Sequence, residues 1–217
     1  MRICSNRNIA SIIVLILASL SCRTILPSEK ADEPGKILLQ DDFSDPSSGW
    51  NQVSTDKGAI EYADGVYRIL VNEPNLDIWS IYNEEFGNVR IEVDALKVGG
   101  DRDNRFGVIC RASDQNNFYT FIISSDGYFG VGKIKDNSYQ LIGMDALLRS
   151  DAIKLGSELN HIRADCIGNS LTLYVNGERL IEVEDLDFAV GKVGLIAGTY
   201  DIPGTDIRFD NLVVYGP

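Results

Sequence analysis

The stretch NHIRADCIGNSLTLYVNGERL, Asn160–Leu180, carries the reading of this fold. Ile162, Ala164 and Cys166 recur at every second position, the spacing that puts side chains on one face of a β-strand. Gly168-Asn169 separates His161–Ile167 from a second run, Leu171–Val175, and Asn176-Gly177 turns that run into Arg179–Val183. Asn-Gly between apolar runs is a strong hairpin signal, because a tight two-residue turn needs positive φ at both central positions. Three short strands joined by tight turns make an antiparallel meander.

The same texture extends in both directions. Downstream, Val193–Thr199 and Ile207–Tyr215 close the chain. Upstream, Ala59–Tyr62 and Val66–Val71 flank Asp64-Gly65, and Phe118–Ser124 and Tyr128–Ile134 flank Asp126-Gly127. Val89–Val98 alternates, with Val89, Ile91, Val93 and Ala95 on one face and Arg90, Glu92 and Asp94 on the other, and Arg105–Arg111 follows. Leu141–Leu155 is the one stretch read as holding a short helix, around Asp145–Arg149. Many short strands separated by turn residues predict an all-β, antiparallel two-sheet sandwich.

Taken together, DDFSDPSSGW (Asp41–Trp50), RFGVICR (Arg105–Arg111), NFYTFIISSDGYFGVGK (Asn117–Lys133), Asn160–Leu180 and GKVGLIAGTYDIPGTDIRFDNLVVY (Gly191–Tyr215) resemble the concanavalin A-like (laminin G-like) jelly-roll superfamily. They are similar to its branch of bacterial 3-keto-disaccharide hydrolase-like domains. The resemblance covers nearly all of Ile37–Tyr215. It implies a jelly-roll fold and does not specify an activity, because one fold hosts lectins, hydrolases and adhesion modules.

The first residues carry a different message. Met1–Asn8 is basic through Arg2 and Arg7, Ile9–Leu20 is a 12-residue apolar run, and Ser21-Cys22 follows. The run is too short to cross a bilayer, which takes roughly 20 residues, and the layout is that of a secretory signal. Ser19-Leu20-Ser21-Cys22 resembles the lipobox of bacterial lipoproteins, in which the cysteine is acylated and becomes the new N-terminus, although Leu20 stands one place late. The alternative is ordinary signal cleavage with a free Cys22. The expected organisation is a signal peptide over 1–21, lipidated Cys22 with a flexible spacer over 22–36, and the sandwich over 37–217. The protein is then extracytoplasmic, in the cell envelope, and anchored to a membrane through its N-terminal lipid.

Lys and Arg number 20 against 32 Asp and Glu, a net charge of -12. That balance argues against nucleic acid as a partner, since phosphate binding needs basic clusters. It is compatible with neutral sugars, and acidity also simply favours solubility. Of four cysteines, Cys4 lies in the signal and Cys22 is the lipid acceptor, which leaves Cys110 and Cys166. Cys110 shares a strand face with Phe106 and Val108, and Cys166 with Ile162 and Ala164, so both point toward a core. A disulfide between them is expected in an exported protein; two buried free thiols are the alternative.

Catalytic motifs are not found. Glycanases of the superfamily carry paired acids as ExDxxE, and no such run occurs; Glu92 and Asp94 have half of that spacing and read as a solvated outer face. His161 is the single histidine and reads as a surface or edge residue, with no GxSxG nucleophile elbow in the chain. No Cys/His spacing suits zinc. Sugar binding needs an aromatic face for the pyranose ring and polar groups for its hydroxyls. Arg111, alternating with an inward Cys110, is expected on the outer face of its sheet as a hydroxyl-binding fork, with Tyr119, Trp79, Tyr128 and Tyr174 as candidate platforms. Core packing is the usual fate of strand aromatics and is the alternative for each. A structural Ca²⁺ is a further candidate, with Asp41 and Asp42 near the first strand and Asp210 in the last brought together by pairing of those strands; turn capping by Asp42 and Asp45 is the alternative. The expectation is a non-catalytic module that recognises a glycan or oligosaccharide. A glycoside or 3-keto-disaccharide hydrolase and a protein-binding adhesion module are the alternatives.

Overall fold

The computed structural model describes residues 35–217; the expected signal peptide, Cys22 and nearly all of the expected spacer lie outside them. The strands are β1 (Ile37–Asp41), β2 (Val53–Thr55), β3 (Gly58–Ala63), β4 (Val66–Val71), β5 (Asp77–Phe86), β6 (Val89–Gly99), β7 (Asn104–Asp114) and β8 (Asn117–Ile123). They continue as β9 (Tyr128–Lys135), β10 (Ser138–Leu141), β11 (Leu148–Arg149), β12 (Asn160–Ile167), β13 (Ser170–Val175), β14 (Glu178–Glu184), β15 (Gly191–Thr199) and β16 (Thr205–Tyr215). No helix occurs among the described residues.

One sheet has nine strands in the order β14-β13-β12-β6-β16-β4-β3-β2, with β1 added to β16. The other has seven, in the order β10-β9-β8-β7-β15-β5, with β11 added to β9. Pairing is antiparallel throughout. The all-β jelly-roll sandwich expected from the sequence is the fold observed.

Alternation builds the core. Val89, Ile91, Val93 and Ala95 of β6 and Ile162, Ala164 and Cys166 of β12 meet Phe106, Val108 and Cys110 of β7 and Phe121 of β8 between the sheets, all essentially buried. Cys110 and Cys166 form a disulfide, with Cα atoms 6.9 Å apart, that ties the two sheets together. Turns fall where the sequence places them: Asp64 and Gly65 have φ of 56° and 78°, and Asn176 and Gly177 have 52° and 86°.

Two expectations are corrected here. Leu141–Leu155 contains no helix; β10 ends at Leu141, β11 occupies Leu148–Arg149, and both pair with β9. Ser138–Arg149 therefore runs along the edge of the seven-stranded sheet beside β9, with Ile142 in the core between the sheets. The other concerns the direction of Arg111. Between Ile109 and Ala112 three steps of β7 face only the two from Lys192 to Gly194 on β15, and Arg111 has a φ of 53°. The extra residue is a β-bulge, which breaks the alternation. Arg111 consequently follows Cys110 inward, and at 2% exposure it is buried instead of standing on the outer face.

Candidate functional site

The outer face of the seven-stranded sheet is apolar too. Ile109, Ala112, Phe118, Ile122 and Ile196 form a second buried cluster there, with Trp79, Ile81, Ile134 and Leu147 packed on it. Glycines make room for what covers this face. A Cβ on Gly132 would lie 2.7 Å from the Tyr139 hydroxyl, and one on Gly130 would lie 2.6 Å from Leu147 Cδ2. The side chains of Tyr139 and Leu147, from this edge segment, thus rest directly on the backbone of β9.

A cavity of about 320 Å³ lies between that segment and the sheet. Its walls are Ile122, Ile134, Leu141, Leu147 and Ile196, and its polar groups come from Thr120, Tyr139, Tyr200, Asp77 and Arg105. Gly198 of β15 pairs with Asp77 on one side and Arg105 on the other. The Arg105 guanidinium bridges over this glycine and donates to the Asp77 carboxylate. A Cβ at Gly198 would collide with both partners. Burial would lower the Arg105 pKa, but Asp77 outweighs it and holds it above the ordinary arginine value. The same guanidinium sits 4.4 Å from the centroid of the Tyr200 ring, within range of a cation–π interaction. Thr120 is buried and its hydroxyl makes no hydrogen bond of ordinary geometry, although it lies near the Tyr139 phenol. Burial pushes that phenol up to about 12.

A second, more open depression of about 460 Å³ adjoins the cavity and shares Leu147 and Tyr200 with it. Its other walls include Asp103, Ser124, Asp126 and Tyr128. The Ser124 hydroxyl donates to Asp126. Partial burial raises the Asp103 pKa, and repulsion from Asp126, Asp101 and Asp201 adds to it. The pair of hollows thus runs from an apolar end to a polar, acidic end, with Tyr139, Tyr200 and Tyr128 along it.

The sequence-derived candidates scatter over both sheets. Tyr128 stands in the open depression. Trp79 lies on the same outer face, 5.5 Å from the Phe118 ring, with its indole N–H donating to Gln115 at 2.8 Å. Tyr119 faces the core; its hydroxyl donates to Asp185 at 2.7 Å and accepts from the Phe188 amide at 2.9 Å. Burial pushes its phenol upward. Arg111 is inside as well, donating to the Phe188 carbonyl at 3.0 Å, the Cys166 carbonyl at 3.2 Å and Asn88 Oδ1 at 3.3 Å. Tyr174 belongs to the nine-stranded sheet, beneath the Arg163 guanidinium at 4.2 Å. A single open face carrying Arg111, Tyr119, Trp79, Tyr128 and Tyr174 is therefore corrected: the bulge turns Arg111 inward, alternation turns Tyr119 inward, and Tyr174 is on the other sheet.

The calcium expectation is corrected in the same way. β1 does pair with β16, yet among the described residues no three His, Cys, Asp or Glu side chains are grouped to hold a metal. The Asp42 carboxylate accepts from the Ser44 hydroxyl at 2.6 Å and amide at 3.1 Å, and Asp210 accepts from the Asn211 amide at 2.7 Å. The Asp42 bonds cap a turn, and the Asp210 bond is local to an irregularity within β16. Glu92 and Asp94 lie on the outer face of the nine-stranded sheet as expected, where both engage His161, at 3.5 Å and 2.8 Å.

Sequence reasoning passed over Thr120, Tyr139, Tyr200, Asp77, Arg105, Asp103 and Asp126. A usable signal was present in the glycines. Gly130 and Gly132 alternate in YFGVGK with inward Phe129 and Val131, which marks an outer face stripped of side chains so that something can lie on it.

No family model matches the sequence, and no curated protein matches it. Solved structures do. The carbohydrate-binding module CBM66 from Bacillus subtilis superposes with a TM-score of 0.63 at 16% identity, over 77% of this chain and 96% of that one. A Bacillus subtilis protein of unknown function with a galectin-like fold gives 0.61 at 13%, over 84% and 97%. A β-glucanase of Bacillus licheniformis gives 0.61 at 10%, over 85% and 100%. At such identities the likeness is one of fold: the chain is a jelly-roll β-sandwich of the architecture these proteins share.

Proposed function

We propose that the protein is an extracytoplasmic lipoprotein whose jelly-roll domain binds a glycan, without chemistry of its own, in the paired hollows on the outer face of the seven-stranded sheet. The observation that carries this reading is the line of Tyr139, Tyr200 and Tyr128 along a concave, partly polar surface. Aromatic faces suit the C–H side of a pyranose, and Asp103, Asp126 and Ser124 offer acceptors and a hydroxyl for its polar edge. The fold neighbours described as a carbohydrate-binding module and a β-glucanase support it. The location rests on Cys22 after the apolar run, and Cys22→Ala should move the protein from the membrane to the soluble fraction. On a glycan array the wild type should bind a defined set of sugars. Tyr200→Ala and Tyr128→Ala should each weaken the strongest interaction about tenfold or more without lowering the melting temperature. Unchanged affinity in both variants would overturn the site, and an array without any specific signal would favour the adhesion-module reading.

One observation favours a second reading, glycoside or 3-keto-disaccharide hydrolysis. Asp103 and Asp126 line the same depression, where partial burial, with repulsion from Asp126 added, raises the Asp103 pKa, as a general acid requires. Turnover of disaccharide or 3-keto-disaccharide substrates that disappears in Asp103→Asn would establish it over the binding reading.

A further inference from the structure

The apolar hollow has no use for a bare sugar. Its walls are the aliphatic side chains of Ile122, Ile134, Leu141, Leu147 and Ile196. A pyranose carries hydroxyls around its whole rim, and each one placed against these walls would leave water without gaining a partner. The polar groups at its edge are already engaged, since Asp77 and Arg105 hold each other across Gly198. The exception is Thr120, 1% exposed, which lines the cavity with a hydroxyl that has the Tyr139 phenol nearby but makes no hydrogen bond of ordinary geometry. A buried hydroxyl in this state needs an acceptor.

We propose that the ligand is an acylated sugar: the acyl chain fills the apolar cavity, its ester or amide carbonyl accepts the Thr120 hydroxyl, and the sugar ring occupies the adjoining acidic depression. This rests on the glycan reading above and names the substituent that the glycan carries. The two hollows share Leu147 and Tyr200, so one short ligand spans both. A carbonyl supplies an acceptor and no donor, which matches the buried Thr120 hydroxyl. A free fatty acid fits worse. Its carboxylate would approach Asp77 and the acidic end at Asp103 and Asp126, and the nearby cation, Arg105, is neutralised by Asp77. An alkyl ether fits the walls but leaves Thr120 without its acceptor.

The test uses four probes on the intact protein by titration calorimetry: glucose, n-octyl β-D-glucoside, 6-O-octanoylglucose and octanoate. The acyl sugar should bind at least about tenfold more tightly than glucose and more tightly than the octyl glucoside. Thr120→Val keeps the shape and removes the hydroxyl; it should weaken the acyl sugar about fivefold, the loss expected of one hydrogen bond, and leave the octyl glucoside unchanged. Leu141→Trp, which fills the cavity from its partly exposed rim, should remove the gain on acylation, so that the acyl sugar binds no more tightly than glucose. Equal affinity for glucose and its octanoyl ester would overturn the acyl inference while leaving the glycan reading in place. So would an equal loss of both octyl probes in Thr120→Val. Octanoate binding as tightly as the acyl sugar, with no contribution from the ring, would overturn the glycan reading and this inference with it.

Discussion

At Arg111 a φ of 53° and one extra residue in β7 carry a guanidinium into the interior, where two backbone carbonyls and Asn88 receive it. Its Nε finds no partner. Desolvation depresses its pKa, and the Tyr119 phenol opposes that shift. The side chain links β7 to β12 through Cys166 and to the segment at Phe188, so Arg111→Ala leaves a cavity and orphaned carbonyls together. The expected loss is about 2–4 kcal/mol in denaturant unfolding, with sugar affinity per folded molecule unchanged. His161 offers a test by pH. Glu92 and then Asp94 raise its pKa above 6.5 against the opposing effect of burial, and His161 in turn lowers the pKa of Glu92 below 4.5. A raised histidine contributes stability that is fully present below its unfolded value and is lost as pH climbs through the folded one. A lowered carboxylate contributes above its unfolded value and loses it as pH falls. Both contributions coexist between about 4.5 and 6.5. Thermal melts of the wild type should decline above that window, and His161→Gln should flatten that decline. A steeper decline in the variant would show the pairing to be unfavourable.

At the scale of strands, legibility followed which faces are wet. β6 and β12 carry charge outside and aliphatic groups inside, and their alternation is visible in the sequence. The seven-stranded sheet is buried on both faces, so β7, β8 and β15 read as near-continuous apolar runs from which facing is not recoverable. That is why Thr120, lying between Phe118 and Ile122, drew no attention, and why the bulge at Arg111 was invisible. β5 was not anticipated either: Ile78-Trp79-Ser80-Ile81-Tyr82 shows no clean period, and the exposed Asn83-Glu84-Glu85 that follows belongs to an edge strand, where exposed charge guards against pairing with other chains. β10 and β11 are short and make their bonds only to β9, so tertiary packing over Gly130 and Gly132 sets them, and local sequence does not. The close approach of β7 and β8 gives a prediction about elements. A Cβ on Gly107 would lie 1.9 Å from the Phe121 carbonyl oxygen, a backbone atom that cannot move without opening the ladder. Gly107→Ala should cost about 3 kcal/mol or more. Gly132→Ala meets only the mobile end of Tyr139, at 2.7 Å, and should displace the ring with a smaller loss, within about 1 kcal/mol. Comparing the two melting temperatures separates a constraint on the fold from a constraint on the site; equal losses would contradict it.

On the scale of the molecule, two sheets of unequal character are held face to face by a core of aliphatic and aromatic side chains and by one covalent bond. The backbone ladders run within each sheet and only side chains such as Arg111 and Tyr67 bond across, so the resistance of the sandwich to coming apart resides chiefly in that core and in the bond between Cys110 of β7 and Cys166 of β12. Both sulfurs are fully buried, and Arg111 donates to the Cys166 carbonyl beside them. The bond closes a separation of 56 residues. By chain entropy alone, a loop of this size restricts the unfolded state enough to stabilise the protein by about 4 kcal/mol. For a sandwich of this size that corresponds to roughly 8–16 °C in melting temperature. The double variant Cys110→Ala, Cys166→Ala should show a loss of that order, with its native sheet content retained at 25 °C. Because the bond acts on the unfolded chain, the same loss should follow reduction of the wild type under unfolding conditions. The hollows on the outer face of the seven-stranded sheet are built from β5, β7, β8, β9, β10 and β15 and do not include either cysteine. Sugar affinity in the folded double variant should therefore match that of the wild type. A variant that melts with the wild type would show that the core alone holds the sheets together.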